Sequence, residues 1–478
     1  MKYLRRLLLV FVFIPCALLF SACSFLFPNE NVYVTNIVQS STTEDLTTYT
    51  IYYSNGTTSM FTVSNGKDGN DGDDLTLESI KQYCETNNVD FEIFLKEYLS
   101  IEQETSIKEG TNKALQSAVS VWCEFPTSYY QTKTEVFCGA GVVYKMNDEY
   151  SYIVTNYHVV YYKNSKTSNK IANKIHIFQY GTSESVFKTE DQSGNITVNY
   201  GDGAIEATYV GGAMNYDIAV LKVATADLKT YNEHVKPVTI AKNYSIADTA
   251  IAIGNPESDG ISVTQGIISV ESEQIEMTGA DESTACEFRV MRIDTAVNGG
   301  NSGGGLFNVK GELIGIVNAK VVDEDIDNIA YALPYDNITK VADNLIYYYE
   351  QSEQPSQVKK LVLGIEYTVE NSRAVYNPTT NQTTLKDDLV VKKVNQTTNN
   401  SNISAAYACE IMAEDIIKSI IINNIEYTLT RAHQLPDLLL SIRAGDKVLF
   451  KIKRGDQIIT KGFGTDDGVP EIYFETIA

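Results

Sequence analysis

The run Gly300-Asn301-Ser302-Gly303-Gly304 leaves its backbone little choice but a tight turn with a serine at the centre. Glycines on both sides of a hydroxyl let two backbone N–H groups converge on one point. A carbonyl oxygen that turns negative there finds donors already in place. Such turns occur on many surfaces, so the meaning of this one depends on what else the chain carries. Gly139-Ala140-Gly141-Val142-Val143 and Tyr152-Ile153-Val154-Thr155-Asn156-Tyr157-His158 contain the β-branched runs of buried strands, and His158 falls where the second run ends. Asn215-Tyr216-Asp217 sets a single carboxylate at the mouth of the apolar run Ile218-Ala219-Val220-Leu221.

Those three residue types, in the order His158, Asp217, Ser302, match one division of labour. A serine hydroxyl is a poor nucleophile near neutral pH, so a base must take its proton as it attacks. Histidine titrates close to working pH and can hand the proton on to a leaving amine. A buried carboxylate fixes the imidazole tautomer and stabilises the imidazolium that forms. The expected oxyanion donors are the backbone N–H groups of Gly300 and Ser302. His176, His234 and His433 lack comparable surroundings and read as structural or surface residues.

These segments resemble the trypsin-like serine proteases, specifically the HtrA/Deg branch. Ala250-Ile251-Ala252-Ile253-Gly254-Asn255-Pro256 with Val263-Thr264-Gln265-Gly266-Ile267-Ile268-Ser269 is similar to that branch between its Asp and Ser. Ile293-Asp294-Thr295-Ala296-Val297-Asn298 before the nucleophile extends the likeness, as do Gly311-Glu312-Leu313-Ile314-Gly315-Ile316-Val317 and Ile329-Ala330-Tyr331-Ala332-Leu333-Pro334 after it. The resemblance implies a mainly β fold: a chymotrypsin-like double β-barrel over 113–350, catalytic His158, Asp217 and Ser302, and no cofactor or metal. It places Ala296, Ile316 and Val317 at the substrate. Ala296, six residues before the serine, falls where cutters after Arg or Lys carry an acid; a neutral floor leaves a substrate cation unpaired. An apolar or small residue before the scissile bond is therefore expected, with Asp294 as the alternative acid. The chain departs from the family at Gly305 and Gly299, where proline is common. Gly299 adds backbone freedom beside the oxyanion site and leaves open whether the hole stands preformed.

The net charge of −23 argues against nucleic acid and against electrostatic docking on anionic membranes. Positive charge gathers at Lys2, Arg5 and Arg6, ahead of the apolar run Leu7-Leu8-Leu9-Val10-Phe11-Val12-Phe13-Ile14. Residues 1–22 read as an export signal. Leu19-Phe20-Ser21-Ala22-Cys23 resembles a bacterial lipobox, which implies lipid attachment at Cys23 and a place on the extracytoplasmic face of the cell membrane; simple cleavage and a retained anchor are the alternatives. Export would permit a disulfide between Cys123 and Cys138.

Residues 23–75 read as a Thr/Ser-rich spacer. Within it, Ser54-Asn55-Gly56 turns a β-hairpin, and 66–72 has a short Gly-x-x period. A helical pattern occupies 76–112, and the polar stretch 161–209 is expected as an elaborated hairpin or surface loop. After a helix from Asp336 to Glu350 and a linker over 351–360, residues 361–478 resemble a PDZ-like α/β domain. Leu363, Gly364 and Ile365 match its loop for a peptide carboxylate; a β-rich packing domain that binds no peptide is the alternative. The resemblance implies polypeptide substrates, unfolded or exported proteins among them, and leaves homo-oligomerisation open. The rival functions are a surface chaperone or adhesion scaffold with an idle protease site, and a lipoprotein acting through its N-terminal and PDZ-like parts.

Overall fold

The structure, a computed structural model, describes residues 34–42, 46–53, 56–64, 81, 84–86, 91, 107–129, 133–192, 196–318, 329–378, 382–397, 403–464 and 468–477. The expected signal segment, Cys23, the Gly-x-x run and most of the 76–105 helical pattern lie outside the described residues. The chain divides into two compact units, 1–106 and 107–478. In the first, strands Val34–Thr42, Leu46–Tyr53 and Thr58–Ser64 form an antiparallel sheet in chain order. Tyr49 pairs with Phe61 across the hairpin, and their rings stack at 5.2 Å.

The second unit is built on two seven-stranded sheets. In one, Ala118–Pro126, Thr134–Met146, Tyr150–Thr155 and Ile218–Ala224 lie at the centre. Their β-branched alternation buries one side against the other sheet and the other side in a core of its own. The other sheet closes on itself, because Glu312–Asn318 pairs with both Gly305–Phe307 and Ala330–Pro334. Among the described residues, no strand pairing closes the first sheet in this way. Val142, Val154 and Val220 of the first sheet share one core with Ile251, Ile253 and Phe307 of the second, each at most 1% exposed. Burying a side chain of that size stabilises by about 1.5–3 kcal/mol. Such interlocking holds the strand ends of the two sheets in register with each other.

Lys174–Gln179, within the stretch expected as an elaborated hairpin or surface loop, is an integral strand of the first sheet next to Ala118–Pro126. Ile175 and Ile177, two apart on one face, are both buried, and Phe178 is buried on the opposite face, which accounts for its place there. Among the described residues, Cys84, Cys123, Cys138, Cys286 and Cys409 are free thiols. Trp122 pairs with Cys138, so Cys138 shares Trp122's face of the sheet, and Cys123, one residue along, points to the opposite face. That register rather than distance along the chain separates them. Burial pushes both thiols well above their ordinary range, so they stay protonated.

Helix Tyr335–Ser352 lies on strands of both sheets. It also carries the C-terminal part, in which Ile365–Asn377, Gln382–Val394, Ile416–Ile422, Val448–Arg454 and Gln457–Phe463 form one antiparallel sheet. Helix Gln434–Leu439 of that part meets the 335–352 helix. Asn337 Nδ2 donates to Asp437 at 2.7 Å, and Asn344 Nδ2 donates to the Leu440 carbonyl at 2.9 Å. Arg289, on Ala285–Ile293, pairs with Asp336 and lies 3.2 Å from Asp437.

Candidate active site

His158 sits in a single helical turn, Tyr157–Val160, directly after strand Tyr150–Thr155. Val159 and Val160 of that turn are buried, which leaves His158 at the rim. Asp217 ends the short 3-10 turn Met214–Tyr216 with a left-handed φ of 50°. A non-glycine residue is strained in that conformation, and Asp tolerates it better than most. The strain aims the carboxylate at the histidine. Its Oδ2 lies 2.7 Å from His158 Nδ1, and its Oδ1 accepts the His158 backbone N–H at 2.9 Å. With Nδ1 donating to the carboxylate, Nε2 presents its lone pair and can act as a base.

A third donor reaches Asp217 from the other sheet. Asn318 Nδ2 donates to Oδ2 at 3.1 Å, and Asn318 is 2% exposed. Sequence reasoning passed over this residue. Its signal was an amide closing the apolar run Leu313-Ile314-Gly315-Ile316-Val317, because a lone polar residue ending a buried strand must find a partner. Asn156 Nδ2 also donates to the Asp217 carbonyl, at 2.9 Å.

The Ser302 turn is tied to this assembly by its backbone. The Ser302 carbonyl accepts from Ala140 N–H at 2.8 Å, and the Ala140 carbonyl accepts from Thr155 Oγ1 at 2.7 Å, three residues before His158. Gly303 N–H donates to the Val317 carbonyl at 3.0 Å, next to Asn318. A Cβ on Gly303 would lie 3.0 Å from Asn156 N and closer still to the Ala140 carbonyl, so only glycine lets the nucleophile turn approach the histidine segment.

The preceding residues form a turn of defined type. Asn301 N–H donates to the Asn298 carbonyl at 3.1 Å, and Gly300, third of the four, has a φ of 95°. Gly299 is not in the left-handed region, which makes this a type II turn. The Gly299 carbonyl accepts Glu257 N–H at 2.9 Å and the Gly300 carbonyl accepts Asn255 N–H at 3.3 Å. Across a trans peptide the carbonyl and the following N–H point in opposite directions. The Gly300 N–H therefore faces away from the 255–257 segment, as an oxyanion donor requires.

The expected substrate residues fare differently. Ala296 is exposed, and its carbonyl accepts from Thr264 Oγ1 at 2.8 Å. Asp294 accepts Ile267 N–H at 2.6 Å, so the alternative acid is engaged with its own strand. Ile316 and Val317 are 0% exposed: Ile316 packs in the core shared by the sheets and Val317 in the core of the second sheet. They support the site from within and do not line it, because consecutive residues of a strand buried on both faces have no open side. Leu363, Gly364 and Ile365 line a cavity of ≈ 380 Å³ together with Leu435 and Leu439. Among the described residues, no three metal-ligating side chains cluster.

Residues 139–316, which hold the His–Asp pair and the glycine-lined serine turn, match the family described as trypsin-like peptidase domain. Within that class the chain is similar to Do-like HtrA serine proteases. It is 27% identical over 240 residues to the Lactococcus lactis subsp. cremoris protein, covering 48% of this chain and 47% of that one. It is 27% identical over 318 residues to the Bacillus subtilis HtrB protein, covering 66% and 59%. The chain thus spans about half the length of the curated relatives it matches. A solved serine endoprotease from Yersinia pestis is 26% identical, with a TM-score of 0.39 over 74% of this chain and 95% of that one.

Proposed function

We propose that this protein is a serine endopeptidase. Ser302 Oγ attacks the scissile carbonyl as His158 Nε2 takes its proton. His158 then protonates the leaving amine, and water repeats the sequence on the acyl-enzyme. Asp217 holds the imidazole through Nδ1. The N–H groups of Gly300 and Ser302 receive the oxyanion. The observation that carries this reading is the 2.7 Å contact between His158 Nδ1 and Asp217 Oδ2 beside a type II serine turn. With Ala296 neutral and Asp294 engaged by Ile267, cleavage follows small or apolar residues. The substrates are polypeptides, unfolded exported proteins in particular, as the sequence resemblance to the HtrA/Deg branch implies.

The C-terminal part acts as a PDZ-like module in the same proposal. Leu363 and Gly364 carbonyls accept interior N–H groups from Ala406 at 2.8 Å and Asn395 at 2.9 Å. The N–H of each following residue is thereby turned away from those donors, suited to a terminal carboxylate. Cys23 carries the lipid that tethers the protein to the outer face of the membrane. Casein digestion and fluorophosphonate labelling by wild type and Ser302→Ala test the core of this reading. Both signals are expected from wild type and neither from the variant; casein cleavage that survives in Ser302→Ala would refute it.

A further inference from the structure

At the junction of the two sheets, away from the His–Asp pair, one carboxylate gathers three side-chain donors. Glu184 belongs to the segment that follows strand Lys174–Gln179. Its Oε1 accepts from Ser120 Oγ at 2.6 Å, and its Oε2 accepts from Trp122 Nε1 at 3.0 Å and Asn255 Nδ2 at 2.8 Å. Ser120 and Trp122 stand on one face of strand Ala118–Pro126, whereas Asn255 directly follows strand Thr249–Gly254 of the other sheet. Asn255 is 0% exposed and is held on every side: Nδ2 also reaches Ser120 Oγ at 2.9 Å, and Oδ1 accepts Gly260 N–H at 2.8 Å. Hydrogen bonds to an ionised acceptor are the stronger kind, so Glu184 is the anchor of this cluster.

The backbone of Asn255 and Glu257 is what selects the form of the serine turn. Types I and II differ by a rotation of the central peptide, here Gly299–Gly300, through about 180°. With glycine at both central positions, the side chains of the turn impose no preference. The bonds from Asn255 N–H to Gly300 O and from Glu257 N–H to Gly299 O supply it. We propose that Glu184 is a positioning residue for catalysis: by fixing Asn255 it holds the 255–257 segment against the turn and keeps the Gly300 N–H directed at the oxyanion. The proposal rests on the serine-endopeptidase reading, but its structural half stands apart from turnover.

The test uses Glu184→Gln and Asn255→Ala in the full chain. Glu184→Gln keeps the size of the side chain but presents an N–H₂ to a cluster of donors. Trp122 is the single tryptophan of the protein, so its emission reports directly whether the contact is broken. On a fluorogenic peptide, kcat per folded molecule is expected to fall at least tenfold with KM changed less than twofold. Removal of a whole oxyanion donor sets the ceiling, at about 10²–10³. Hydrogen–deuterium exchange at 255–260 and 299–302 is expected to rise in both variants, whatever the activity of the wild type. Altered Trp122 emission with unchanged exchange at 299–302, or with undiminished kcat, overturns the proposal. A silent wild type whose exchange still responds at both segments counts against the endopeptidase reading alone.

Discussion

Gly300→Ala separates the geometry of the oxyanion turn from the rest of the machinery. Alanine at a φ of 95° adopts a conformation that costs about 1–3 kcal/mol, and its Cβ would overlap the Asn255 carbonyl oxygen, well inside van der Waals contact. Rotating the Gly299–Gly300 peptide to the type I form removes both penalties. That rotation gives up the bond from Glu257 N–H to Gly299 O, about 0.5–1.5 kcal/mol net. The flip is therefore the smaller loss. It replaces the Gly300 N–H with the Gly299 carbonyl at the place where negative charge develops, and loss of one such donor costs about 2.7–4 kcal/mol, or 10²–10³ in kcat. His158, Asp217 and Ser302 are untouched, and Gly300 lies outside the cores, so thermal unfolding should move by only a few degrees. Steady-state kinetics on a fluorogenic peptide, with melting followed in parallel, measures both. A variant that keeps more than a tenth of wild-type kcat would show that this amide does not serve the oxyanion.

Asn318→Ala removes one of three donors to the Asp217 side chain and should lower kcat about tenfold with little change in KM, while Asn318→Ser retains part of the rate; equal rates in all three would deny Asn318 any part in orienting the acid. Asp294→Ala should leave the preference for small or apolar residues unchanged in a peptide-library digest, since Asp294 is bonded to Ile267; a shift away from cleavage after Arg or Lys would place that acid in the pocket after all. Arg289→Met strands Asp336 and Asp437 together at the junction with the C-terminal sheet. Breaking such a pair should destabilise by roughly 3–5 kcal/mol in denaturant unfolding, and adding Asp437→Asn should recover part of it; additive losses would argue against a coupled network. In the same place, burial and then the Arg289 charge push His433 down to about 3. The folded state thus prefers the neutral ring, so its contribution is complete above the ordinary histidine pKa and is lost as pH falls from about 6.5 toward 3. Between pH 7 and 5 the protein should lose at most about 2 kcal/mol that His433→Gln does not lose, read as the difference in their unfolding free energies; parallel pH profiles would refute it.

The residues that do the proposed chemistry were legible because each sits in a local pattern of its own. His158 follows a β-branched run, Asp217 precedes one, and Ser302 is set among glycines; backbone preference and apolar periodicity act over a few residues and leave a mark in the chain. A C-terminal β-rich part beyond the 335–352 helix was within reach for the same reason. What packing over long separations decides left no such mark. The register Trp122↔Cys138 sets Cys123 and Cys138 on opposite faces, and the interlocked cores bury Ile316 and Val317 while bringing the next residue, Asn318, to Asp217. The direction of the Gly299 carbonyl is settled by Glu257 N–H, from a turn more than forty residues upstream in the chain. Two glycines have no preference of their own between the two forms of a turn, so the neighbour that folding delivers makes the choice.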